Sequence, residues 1–405
     1  MRILGKAGFG LALLALAACS PIQLGSRVLD FGAPVSFNSA QTIPNQSATP
    51  ILPSSATQRF GRGPVQVSLL LPLSGDPGLA SVGQSLANAS RLAIQFIEAN
   101  PNIAENITIT LRDTGATVGG ATAAASAAAS EGAKLILGPL RADQVTAAGA
   151  VARSAGIPLI GFSNNPSAAG PSVYLLSVLP DMEMKRSLNW VKTQGRRGIA
   201  GIFPAGDFGQ AQQAAFRQQA AAAGFAPQAV YTFASPAEAQ QIVSQALPHI
   251  RNGMIDTIFI PDRASAPNFS LLLAQAGVAP GTVQLVGSAD WEGDPAIMAS
   301  TQLAGAIYPA VDPAGRAAIM ADYQRQFGGM PHALATIAYT ATILANVKTL
   351  SLANPPYNPT LMTNATGFNG RDGMFRFLVN GRAEYALALK KLVQGGAQMV
   401  EGARL

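Results

Sequence analysis

Few side chains in this chain could do covalent chemistry. His249 and His332 are the only imidazoles in 405 residues, and Cys19 is the only thiol. No G-x-S-x-G elbow, H-E-x-x-H pair or G-x-x-x-x-G-K-[ST] loop occurs, and none of the seven lysines follows a serine by three positions. His249 follows Pro248 at the end of a helical stretch, where an imidazole caps a helix more readily than it catalyses. A metal centre needs clustered His or Cys ligands, which this composition does not supply. The residue inventory therefore argues against an enzyme, a cofactor or a metal, and leaves binding as the function class.

Cys19 is explained by its position. A short positive region (Arg2, Lys6) precedes an apolar core over 7–15, too short to span a bilayer, and Leu16-Ala17-Ala18-Cys19 closes it. That ending resembles the bacterial lipobox. The resemblance implies a signal peptide over 1–18, acylation of Cys19 and anchoring to a membrane, since each buried CH₂ of an acyl chain contributes about 0.8 kcal/mol. An ordinary secretory leader cut near Ala18 is the alternative. Ser20 stands where an aspartate would resemble an inner-membrane retention signal, so the resemblance points to the outer membrane of a two-membrane envelope. With one cysteine, no disulfide can form within the chain.

Charge adds little. The formal net charge is +6, falling to +4 once Arg2 and Lys6 leave with the leader, and the basic residues are scattered. Solvated faces account for them, and a nucleic-acid partner has no support.

Residues 19–63 are rich in Pro, Ser, Gln, Asn and Thr and read as a linker, with a reach of about 130 Å if fully extended. Order begins at VQVSLLLPLSG, 65–75, where five of the first seven residues are Val or Leu and no charge intervenes. Such a run reads as a strand buried on both faces. Helical spacing follows at Val82, Leu86, Ala89, Ala93, Phe96 and Ile97. Ligands of open parallel sheets sit beyond the carboxyl ends of the strands, so the loop 72–78 is the first place to look for function. It lacks a glycine-rich phosphate cradle.

Beyond it, strands are expected at 107–111, 134–137 and 157–160, with helices over 118–131 and 142–155. An extended segment at 173–180 breaks the rhythm. A second series then places strands at 199–203, 229–233, 257–260 and 283–286, with helices over 182–193, 210–223, 236–249 and 265–276. A helical region covers 313–327 and 331–350, and Asn380-Gly381 marks a turn in the closing hairpin. Two α/β series with short connections imply two Rossmann-like lobes with parallel sheets and a cleft between them.

The order of these pieces resembles the type 1 periplasmic-binding-protein fold, the leucine/isoleucine/valine-binding family. LLPLSG at 70–75, LILGPL at 135–140, IPLIGFSN at 157–164, GDFGQ at 206–210, AYTATILAN at 338–346 and GRDGMFRFLVNGR at 370–382 carry the resemblance. It implies three crossovers, near 173–181, 305–312 and 354–372, and a hinge that closes the cleft. It divides the chain into lobe one, 64–177 plus about 310–355, and lobe two, 178–309 plus about 370–402. Carried over, the cleft positions are Ser74, Gly138 to Arg141, Ser163 and Asn164 in lobe one, and Asp207, Phe208, Asp262, Asp290 and Trp291 in lobe two. In amino-acid binders of this family, N–H groups and hydroxyls hold a carboxylate while an opposing acid holds an ammonium.

The chain departs from that pattern at Pro139-Leu140-Arg141-Ala142, where small hydroxyl residues are common, and at Phe208, where a tyrosine often stands. Ser163 and Asn164 either bind ligand or close the turn before Pro166. Two roles fit: a solute receptor delivering an amino acid to an ABC permease, or a regulator resembling the penicillin-binding-protein activator lipoproteins, which stimulate a peptidoglycan synthase. The tether, Ser20 and the departures favour the second. Those activators carry a helical-repeat domain ahead of this fold, and none fits into 20–62.

Overall fold

The structure, a computed structural model, describes residues 58–405. The expected signal peptide, Cys19 and the linker as far as residue 57 lie outside the described residues.

The first lobe is built on a six-stranded sheet. Strand β1 (Gln58–Phe60) runs antiparallel to β3 (Ile107–Asp113), within residues expected to be linker. Three residues are too few to show a period; what recruits them is Phe60, packed against the first core. Strand β2 (Val65–Leu71) lies at the centre, parallel to β3 and to β4 (Leu135–Leu137), and β5 (Leu159–Gly161) and β6 (Val173–Leu175) continue the parallel sheet. Every β2 residue except Gln66 is buried, as a strand covered by helices on both faces must be. Those helices are α1 (Pro77–Ala99), α2 (Val118–Ser130) and α3 (Ala142–Ser154). Asp76 caps α1 by accepting the Leu79 N–H at 2.8 Å. Val82, Leu86, Ala89, Ala93 and Ile97 bury its apolar stripe, and Phe96, one step off it, is exposed.

The segment expected to be merely extended at 173–180 contains β6, whose three residues are all buried. After it, α4 (Pro180–Thr193) opens the second lobe. Its parallel strands are β7 (Ile199–Pro204), β8 (Ala229–Phe233), β9 (Thr257–Phe259), β10 (Gln284–Val286) and β11 (Ile307–Ala310). Between them run α5 (Asp207–Ala223), α6 (Ala239–Arg251), α7 (Ala266–Gln275) and the short α8 (Pro295–Ala299). Gly224 ends α5 in the left-handed conformation, φ 82°, that the sequence requires of it.

The chain then returns to the first lobe, where α9 (Ala314–Phe327) and α10 (Ala335–Asn346) pack on α1. The closing hairpin divides between the lobes. Strands β12 (Phe368–Gly370), β13 (Gly373–Phe377) and β14 (Ala383–Tyr385) form a small sheet whose Phe375, Phe377 and Tyr385 join the first core. Only β15 (Leu387–Val393), antiparallel to β11, and β16 (Gly396–Arg404), antiparallel to β15, extend the second sheet. The crossovers are thus residues 176–179, residues 311–313 and Ala386. The third falls well beyond the expected 354–372, because Tyr357, Met362 and the aromatics of β13 all face the first core.

Asn346, at the end of α10, fastens that helix to the first sheet. Its Oδ1 accepts the Asn106 N–H, its Nδ2 donates to the Ala104 carbonyl, and its own carbonyl accepts the Asn106 amide, each at 2.8 Å. Substituting Asn346→Ala strands a buried N–H and a carbonyl. The expected loss is about 2 kcal/mol of unfolding free energy, read from the urea midpoint.

Candidate functional site

The loops at the carboxyl ends of the parallel strands define the candidate site, and the lobes furnish them differently. In lobe one, Asp113 staples two loops: its Oδ1 accepts the Leu73 N–H at 2.8 Å and the Gly115 N–H at 2.7 Å. Ser74 follows on the first loop, half-buried. Gly138 adopts φ 79° over β2, where a Cβ would fall 2.1 Å from the Leu70 carbonyl oxygen, so this position admits only glycine. Leu140 is buried in the first core. Arg141 turns onto its own helix, donating to Asp143 at 3.1 and 3.2 Å. The buried Ser163 Oγ accepts the Asn165 N–H at 3.1 Å, and Asn165 in turn caps the short turn at Pro166–Ala168. Ser163 thus closes the turn. Ser74 and Asn164 make no side-chain hydrogen bond within the described chain.

In lobe two the polar groups are carboxyls. Asp207 opens α5 and is exposed, with Phe208 half-buried beside it. Asp262 accepts the Ser265 N–H at 2.9 Å and so closes the turn that leads into α7. Asp290 is half-buried after β10; desolvation is the main cause of its raised pKa, Arg263 opposes the shift and the Asp262 carboxylate adds to it. Trp291 departs from the cleft expectation. It is fully buried, its ring lying over Gly287, where a Cβ would come within 2.2 Å of it, with Tyr308 6.2 Å away between centroids. The indole fills the second core behind the loop, since only a ring of that size covers the bare backbone of Gly287.

Glu183, in the first turn of α4, was not legible as a site residue. It is buried, its Oε1 accepts the Ala289 N–H at 3.3 Å, and its Oε2 accepts the Gln212 amide at 3.1 Å. Burial first, and the Asp290 charge second, push its pKa up to about 8. The sequence signal available was an acid at a helix start, which ordinarily denotes a dipole partner at the surface. Gln212 is also buried, and its Oε1 has no partner. A protonated Glu183 could donate to that oxygen with the amide turned over. Lobe two therefore offers the Asp290 carboxyl to a cationic or N–H-bearing group, while in lobe one the Arg141 guanidinium is turned onto its own helix and the Ser163 oxygen accepts a turn N–H with its O–H left to donate. Among the described residues no three or more metal-ligating side chains converge, and no helix is long and apolar enough to cross a membrane.

Two lobes of parallel sheet, three crossovers and strand-end loops define a two-lobed binding protein of the type 1 class. The chain belongs to the periplasmic binding protein family, whose pattern it matches over residues 64–397. No curated protein matches it in sequence. Among solved structures, a putative branched-chain amino acid ABC transporter protein from Rhodospirillum rubrum superposes with a TM-score of 0.71 at 18% identity, covering 83% of this chain and 99% of that one. The leucine-binding protein of Thermotoga maritima gives 0.58 at 17%, covering 84% and 99%. The C-domain of LpoA from Haemophilus influenzae, described as a regulator of PBP1A, gives 0.60 at 17%, covering 83% and 99%. At these identities the likeness is one of fold.

Proposed function

We propose that this chain is a non-catalytic envelope lipoprotein, anchored through acylated Cys19, that regulates a peptidoglycan synthase of the penicillin-binding class. The observation that carries this reading is the state of the lobe-one wall. Leu140, at the turn where amino-acid binders of the family commonly place small hydroxyl residues, is in the core and offers a carboxylate no hydrogen bond, and Arg141 is tied to Asp143, so only Ser74, Ser163 and Asn164 are left to furnish that wall. A stretch of some 40 residues between Cys19 and Gln58 supplies reach from an outer-membrane anchor toward a wall enzyme. The LpoA C-domain, a regulator of PBP1A, is a precedent for this fold in such a role. The partners are then the outer membrane and a penicillin-binding protein.

One observation favours a second reading, a receptor that hands an amino acid or similar small polar solute to an ABC permease: the Asp290 carboxyl, half-buried on the loop after β10 of lobe two, suits an ammonium. The readings part in a thermal-shift screen of the full chain against amino acids. The regulator reading expects no concentration-dependent rise in Tm across the panel. A ligand that raises Tm progressively, with the rise abolished by Asp290→Ala, would overturn it.

A further inference from the structure

The first two turns of α4 bond to a hairpin packed on the first lobe, to the third crossover and to the loop that carries Asp290. We propose that this helix start is a coupling element, tying the cleft loop that carries Asp290 to the hinge.

Its residues divide by face. Asp181 and Lys185, four apart, lie on one side of the helix, and Glu183, two residues from each, on the other. Asp181 pairs with Arg382 at 2.6 Å, and Lys185 pairs with Glu384 at 3.1 Å. Arg382 and Glu384 belong to the β13–β14 hairpin, which is packed on the first lobe, so both pairs cross from one lobe to the other. The hairpin is a firm anchor. Its tip is pinned to β6 by the Leu175 N–H donating to the Gly381 carbonyl at 2.8 Å, and Gly381 lies so close to β6 that a Cβ would fall 2.2 Å from the Val173 oxygen. Glu384 is further held by Arg376 at 2.5 Å.

Arg186 covers the third crossover. Buried, it donates to the Leu387 carbonyl at 2.7 Å, to Glu401 at 2.8 Å and to the Gly402 carbonyl at 3.2 Å, fixing where β15 leaves Ala386. Across the helix from Asp181, and three residues before Arg186, Glu183 holds the Ala289 N–H next to Asp290, and holds Gln212 on α5, the helix that begins with Asp207 and Phe208. A rotation of α4 about the first crossover would therefore shift both cleft loops of lobe two and break or remake the cross-lobe pairs together. The element has the form that hinge coupling requires: a rigid helix bonded at one end to the moving joint and on its far face to the site.

Hydrogen exchange on the full chain tests this, because coupling is reciprocal. Substituting Arg382→Met, which removes the cross-lobe pair, is expected to speed exchange at least tenfold in peptides over 286–292 as well as over 378–387. Substituting Glu183→Ala is expected to do the same at both places from the other side. Arg325→Met, which removes the exposed pair with Asp322, should leave both peptides unchanged. Peptides over 65–71 and 107–113 report global unfolding. Should Arg382→Met release them too, Asp181→Asn, which keeps the side-chain shape, decides by the same criterion. Faster exchange confined to the substituted side, with the distant peptide at its native rate, would overturn the proposal.

Discussion

Replacing Trp291 with alanine is expected to lower the unfolding free energy of the full chain by about 3–5 kcal/mol, the range for truncating a fully buried large aromatic. The indole is wholly buried, covers the bare backbone of Gly287 and packs toward Tyr308, within a core that includes Ile258, Phe269 and Leu303. Its Nε1 has no hydrogen-bond partner, so the loss is one of packing: transfer of the ring and the cavity it leaves. Trp291→Phe keeps part of the ring and is expected to cost roughly half as much. Chemical denaturation gives both values. The pair of variants also tests the placement of this residue, since a cleft-lining tryptophan would change binding and cost little stability.

The second large effect is a dependence of stability on pH traced to Glu183. Its carboxyl ionises near 4.5 in an unfolded chain and near pH 8 in the fold, because burial and the Asp290 charge both oppose the carboxylate. Between those values the folded state binds more protons than the unfolded one. Its contribution to stability therefore falls as pH rises from about 4.5 to about 8, with nothing further lost above that. At about 1.4 kcal/mol per unit, the loss over the window is on the order of 3–5 kcal/mol. Asp372, pushed up to about 6 chiefly by burial, acts with the same sign but completes its loss by about pH 6. Asp290, also raised, acts with the same sign and His332, lowered, with the opposite one, so the Glu183 contribution between pH 6 and pH 8 is read from urea titrations as the difference between native chain and variant. Glu183→Gln should flatten the decline over that interval, so that the variant gains on the native chain as pH rises. Parallel curves for the two proteins would show that the carboxyl is ionised in the fold.

Much of the architecture could be read from residue order. The run over 65–71 has no charge and was bound to be a central strand, and the alternation of strand and helix over 107–286 followed from apolar runs separated by glycines. The elements that escaped were short or owed their form to distant partners. β1 and β6 have three residues each, below any period. The third crossover was misplaced because β13 and β14 alternate as any hairpin would, and only tertiary packing decides that Phe375 and Phe377 face the first core.

The site was legible as loop positions and illegible as side-chain states. Nothing in Arg141-Ala142-Asp143 says that the guanidinium closes on its own helix, or in Ser163-Asn164-Asn165 that the hydroxyl takes the turn N–H. Glu183 was hidden for the same reason: a carboxylate at a helix start is normally solvated, and its burial depends on α5 and on the loop after β10, far away in sequence.

The regulator reading is tested most directly by adding the purified full chain to a bifunctional peptidoglycan synthase from the same cell and following glycan polymerisation and cross-linking. The account predicts a several-fold rise in at least one rate that saturates with the chain, and that is unaffected by added amino acids. No change in either rate, together with an amino acid that stabilises the chain through Asp290, would contradict it.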